Sequence, residues 1–211
     1  MRNLTELEPH ERRVVGALME KQQTTPEYYP LTLKALQAAC NQKSNRNPAL
    51  SLREIEVLNI LRVLLQERLV ERTSGARVDR WGHRVGDSLS AGARAILTLL
   101  LLRGPQTIGE LRGRCERLHS FDSLADAISA LQQLSQQDPP LAVELTRHPG
   151  QKENRWAFPA QGEELQAAPL QPEPQPAPTA APWAERLERL EELVEKLQQE
   201  VQALKDQLEI D

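Results

Sequence analysis

The chain has 211 residues and a formal net charge of −4, and its two cysteines are too few for a disulfide framework. Aromatic residues make up 3%, so a core must come from Leu, Val and Ala, a composition that favours helices over strands. The charge is uneven: residues 161–211 carry 12 acidic and 4 basic side chains, a net of −8, which leaves +4 for residues 1–160. That asymmetry is compatible with nucleic-acid contact by the first part. Residues 1–13 are polar and charged, unlike a signal peptide. The most apolar stretch, 96–102, is far short of the ~20 residues a membrane helix needs. The expected location is cytoplasmic, with no membrane partner.

In chain order, residues 11–19 place Val14, Val15 and Leu18 on one helical face. Thr24-Thr25-Pro26 and Tyr29-Pro30 mark a turn. A second helix is expected from about Thr32 to Cys40, broken by the Asn-rich run 41–48. Ser51 with Glu54 has the capping-box spacing and predicts the start of a third helix, reaching about Arg68. Residues 69–73 and 77–81 read as two short strands about Ser74-Gly75. Three helices and a hairpin are the order of a winged helix, a form of helix-turn-helix.

The same order then recurs. Residues 90–102 predict a first helix and Gly104-Pro105 a turn. Thr107 with Glu110 predicts the capped start of a second helix ending near Leu118. Asp122 or Ser123 caps a third, ended by Asp138-Pro139-Pro140. Residues 141–145 and 155–158 make a second hairpin around Pro149-Gly150. Pro30-x-Thr32-x-x-x-Leu36 reappears 75 residues on as Pro105-x-Thr107-x-x-x-Leu111, and Cys40 reappears as Cys115. Such self-similarity reads as duplication. Both cysteines fall on the apolar stripe of their helices, as buried thiols or, alternatively, in a redox or metal role.

Several motifs together resemble the YceH family of bacterial proteins. They are Thr24-Thr25-Pro26, Tyr29-Pro30-Leu31-Thr32-Leu33, the run from Ala39-Cys40-Asn41 to Asn47-Pro48, Arg103-Gly104-Pro105-Gln106-Thr107, Gly109-Glu110-Leu111-Arg112, and Pro149-Gly150-Gln151-Lys152-Glu153. The resemblance covers roughly residues 9–158. It implies tandem winged helices and leaves activity open.

Six of the fourteen residues 169–182 are Pro, which predicts an extended spacer or, alternatively, a ligand for a proline-binding domain. Leu187, Leu190, Val194, Leu197, Val201, Leu204 and Leu208 then recur at spacings of three and four, the seam of a parallel coiled-coil dimer. The alternative is a lone amphipathic helix docked on its own protein. The expected architecture is mainly α with small β-hairpins. It comprises a first winged-helix domain (1–86), a second (87–160), a Pro-rich linker (161–183) and a coiled-coil helix (184–211).

In the usual docking of a helix-turn-helix, the third helix enters the major groove and the wing touches the backbone. The candidate DNA contacts in the first copy are Lys43 and Arg46 in the loop, Arg53 and Arg62 on helix three, and Arg72, Arg77, Arg80 and Arg84 on the wing. Trp81 beside them reads as packing or as a stacking platform. The second copy offers Arg112 and Arg114, with Arg103 and Arg117 nearby, and Lys152 and Arg155 on its wing. Its helix three has no Lys or Arg, and Asp122 and Asp126 stand at its start. That copy therefore meets the DNA backbone only, or faces protein. The four histidines, His10, His83, His119 and His148, lack metal-ligand spacing. There is no phosphate loop or nucleophile elbow, and Glu110 is explained by its cap. No enzyme activity and no cofactor are expected. The sequence leaves two readings: a dimeric DNA-binding protein of the transcription-regulator type, with double-stranded DNA as partner, or a winged-helix scaffold that grips proteins without touching DNA.

Overall fold

Short capped helices repeat through the chain, and their caps explain where most of them begin. The structure is a computed structural model that describes residues 3–75, 78–147, 151–162, 194–196, 198–199 and 202. The first half contains α1 (Pro9–Thr24), β1 (Leu31–Thr32), α2 (Leu33–Cys40), α3 (Glu54–Gln66), β2 (Val70–Thr73) and β3 (Arg80–His83). The second contains α4 (Ala91–Arg103), α5 (Ile108–Cys115), α6 (Leu124–Ser135), β4 (Val143–Leu145) and β5 (Arg155–Ala157). The architecture is mainly helical with small antiparallel sheets, in the order β1-β3-β2 and β4-β5.

Thr32 Oγ1 accepts from Ala35 N at 3.3 Å and Thr107 Oγ1 from Glu110 N at 3.3 Å, so equivalent threonines cap α2 and α5. Glu110 returns the bond by accepting from Thr107 N at 3.0 Å. Ser90 and Ser123 cap α4 and α6 in the same way. The expected Ser51–Glu54 box does not form. α3 is capped two residues later, at Arg53, whose N donates to the Glu56 carboxylate at 2.7 Å. Leu52 is already committed elsewhere: Asn41 donates to its carbonyl at 2.8 Å and accepts from its amide at 2.8 Å. This two-way clamp fixes the entry angle of α3 from the end of α2.

The 75-residue offset survives in three dimensions. α2 and α5 match end to end at that offset. Arg80 Nη1 donates to Pro30 O at 2.9 Å, and 75 residues on Arg155 Nη1 donates to Pro105 O at 3.1 Å. Leu31 pairs with Trp81, and Gln106 bridges Trp156 at the same offset. Strand β1 was not foreseen, because two residues carry no alternation to read.

Unit one, Met1–Ala167, holds both halves on a single core. α4 is buried on every side from Ala95 to Leu102, as a central helix must be. It packs on α1 so closely that a Cβ on Gly16 would stand 2.9 Å from Leu102 Cδ2. Asn47 N donates to Leu102 O at 2.9 Å and Gln23 Nε2 to Thr98 Oγ1 at 2.9 Å, tying the halves further. Cys40 and Cys115 are wholly buried, and burial pushes each thiol up to about 12, so both stay protonated at neutral pH. Trp81 is buried and packs in the core, which leaves it no face for stacking.

Of unit two, Ala168–Asp211, the described residues are helical. Val194 is 52% exposed. The other six seam residues, Leu187, Leu190, Leu197, Val201, Leu204 and Leu208, lie outside the described residues, as does Arg77. Among the described residues no helix is long and apolar enough to cross a membrane.

Candidate nucleic-acid interface

Helix α3 buries Val57, Leu61 and Leu64, a spacing of four and three that turns one face to the core. The opposite face carries Ile55, Asn59, Arg62, Val63 and Gln66, all exposed. It is thus a mixed surface with one central cation. Arg62 Nη1 lies 3.4 Å from Asn59 Oδ1, and both remain open to solvent. Arg53 projects at the helix start, 76% exposed, with Glu56 as its partner at 2.9 Å.

The other candidate cations separate into three groups. Arg46 is a correction: it lies inside the fold, not on its surface. Its side chain is fully buried, and its Nη2 and Nη1 reach the Glu20 carboxylate at 2.6 and 3.1 Å. Nε and Nη2 also donate to Ala39 O at 3.1 and 2.9 Å. A guanidinium so occupied has nothing left for a phosphate. The second group is tied down at the surface. Arg72 pairs with Asp79 at 3.5 Å and Arg84 with Glu71 at 2.9 Å. Arg80 and Arg155 donate to the Pro30 and Pro105 carbonyls just before α2 and α5, and Arg155 also reaches Glu110 at 3.4 Å. Arg114 donates to Gln106 Oε1 at 2.8 Å and pairs with Glu110 at 3.2 Å. Exposed ion pairs such as Arg72–Asp79 and Arg84–Glu71 contribute little to stability. The third group is exposed without a carboxylate partner among the described residues: Lys43, Arg62, Arg112 and Lys152.

The hairpin β2–β3 is seated on a buried polar cluster. Tyr29 Oη accepts from His83 N at 2.6 Å, and Val85 N donates to His83 Nδ1 at 3.1 Å. Because Nδ1 accepts, Nε2 carries the proton and donates to Gln22 Oε1 at 2.8 Å. Burial lowers the His83 pKa below the ordinary imidazole value and pushes the Tyr29 hydroxyl up to about 12.

Helix α6 presents a different surface. It buries Ala127, Leu131 and Leu134 and leaves Leu124, Ala125, Ile128 and Gln132 exposed. Leu124 and Ile128 are 44% and 41% exposed, large apolar side chains one turn apart. Among the described residues, no group of three or more His, Cys, Asp or Glu is placed to hold a metal. Lys21 escaped the sequence reading. It stands near Lys43, Arg114 and Arg117 around one cleft, a gathering that no linear spacing announces.

The family described as "Protein of unknown function, DUF480" matches residues 7–151. A UPF0502 protein of Shewanella sp. (strain MR-4) is 42% identical over 214 residues, spanning 97% of this chain and 96% of that one. A UPF0502 protein of Aeromonas hydrophila is 45% identical, with 96% of each chain covered. Another, from Koribacter versatilis, is 48% identical over 80% of this chain and 78% of its own. The chain belongs to this uncharacterised bacterial family, the YceH or UPF0502 family that its motifs resemble.

Proposed function

We propose that this is a cytoplasmic DNA-binding protein of the transcription-regulator type, built from tandem winged helices and paired with a second copy through a C-terminal coiled coil. The observation that carries the reading is the outward face of α3, where Asn59, Arg62 and Gln66 stand together. Arg, Asn and Gln are the side chains that read base edges in a major groove. Each half supplies three helices and then a hairpin, and the α2 clamp on Leu52 sets α3 at a fixed angle to α2. In this reading α3 enters the groove, Arg53 and Lys43 meet phosphates, and Arg72, Arg80 and Arg84 border the backbone. The reading assigns no catalytic step and no cofactor.

Titration of a labelled duplex with the full chain at several salt concentrations tests it. Binding is expected to weaken steeply with salt, as neutralised phosphates release counterions. Arg62→Ala is expected to cost about 1–3 kcal/mol of affinity, or five- to 150-fold. Absence of binding at low salt rejects the reading.

A second reading is favoured by one feature, the exposed Leu124 and Ile128 of α6. Here the winged helices serve as a protein scaffold. Recovery of a partner after nuclease treatment, lost in Leu124→Asp, supports it; equal recovery by the variant counts against it.

A further inference from the structure

A cleft of about 420 Å³ lies where the two halves meet. Lys21 of α1 and Lys43 of the α2–α3 loop line it from the first half, and Arg114 and Arg117 line it from the second. Leu99 and Leu118 contribute apolar surface. Four cations from three separate segments thus converge on one hollow.

Their neutralisation is incomplete: Arg114 pairs with Glu110 at 3.2 Å. Among the described residues, the other three, Lys21, Lys43 and Arg117, have no carboxylate within ion-pair distance. Glu20, the one carboxylate in the lining, is taken up by Arg46 at 2.6 Å. Arg103 adds a further positive charge behind the loop, its guanidinium hydrogen-bonded to Asn45 in the lining. Its pKa is lowered first by burial and then by repulsion from Arg114 and Arg46. Its Nε is buried without a hydrogen-bond partner. Like charges held together in this way repel unless an anion enters, and repulsion is stronger where water is displaced.

We propose that this cleft binds a phosphate-bearing ligand, held by Lys21, Lys43, Arg114 and Arg117. Phosphate suits the set because its oxygens accept several charge-assisted bonds at once, from arginine forks and lysine point charges alike. The hollow falls in the size range of small-ligand sites, roughly 300–1,000 Å³. Leu99 and Leu118 suit a less polar group attached to the phosphate. The phosphate comes either from a DNA backbone or from a free phosphorylated compound. The proposal shares Lys43 with the DNA reading but does not depend on α3.

Calorimetric titration of the full chain with pyrophosphate at low salt tests it. The wild type is expected to bind. Lys43→Ala/Arg117→Ala, at two exposed positions, is expected to weaken binding about tenfold or more while leaving the circular dichroism spectrum unchanged. Arg62→Ala is expected to bind pyrophosphate as the wild type does. No binding by the wild type, or equal binding by the double variant, overturns the proposal. Adding saturating duplex separates the sources: displacement of pyrophosphate assigns the cleft to backbone phosphate, and undisturbed binding assigns it to a free compound. Pyrophosphate binding without any duplex binding sinks the DNA reading and leaves the cleft standing.

Discussion

Arg46 shows how far the fate of a single side chain depends on what lies elsewhere in the chain. The loop around it reads as a basic, polar arm, and nothing local distinguishes Arg46 from Lys43. Its partner Glu20 lies 26 residues away on α1, and the pair is sealed by two bonds to Ala39 O. Removing one member of a buried pair leaves the other charge stranded, so Arg46→Ala is expected to cost about 3 kcal/mol of stability. A drop in the urea midpoint with no loss of duplex affinity per folded molecule is the expected result. His83 carries a second residue-level prediction. Its folded pKa lies below that of the unfolded chain, near 6.5, so the unfolded state takes up protons first as pH falls. The stability that His83 contributes is complete above about pH 6.5. It declines below that value until the ring is protonated in the fold as well. Urea unfolding followed from pH 7.5 to 5 is expected to show this decline, with a shallower slope in His83→Gln.

Among the elements, α2 and α5 were legible because their signals are local. A threonine cap, a proline before it and apolar residues three and four apart all fall within ten residues. The start of α3 was not legible, because Asn41 holds Leu52 across an eleven-residue gap and delays the helix beyond Ser51. The α3 face could be read from spacing, since buried Val57, Leu61 and Leu64 define its reverse. The state of the hairpin arginines could not, because Asp79, Glu71 and the Pro30 carbonyl reach them only after the chain turns back. Packing between elements gives its own prediction. Gly16 faces Leu101 and Leu102 on α4, with Cβ-to-carbon separations of 2.9–3.1 Å. Gly16→Val is expected to cost about 1–3 kcal/mol through overpacking, read as a lowered melting temperature. Gly113, with open space around its Cβ position, is the contrasting site, where Gly113→Ala is expected to be neutral or slightly stabilising.

For the whole molecule, duplication is visible in the sequence, but the shared core is not. The two similar units share one apolar cluster, which runs from Leu7 to Phe158. Unfolding is therefore expected to be cooperative across both halves. With Trp183 replaced by Phe, fluorescence from Trp81 and Trp156 in the two single-tryptophan variants is expected to give coincident urea transitions; separated midpoints would show independent halves. Fragments 1–86 and 87–160, expressed alone, are expected to aggregate, since each uncovers the α1–α4 seam. At Gly16 the seam has no room for even a methyl group, so the halves are expected to move as one body, like the jaws of a caliper held at one setting. A ligand that touches both halves is then expected to be selected by the interval between its own contact points, so that discrimination by length would come from the seam itself.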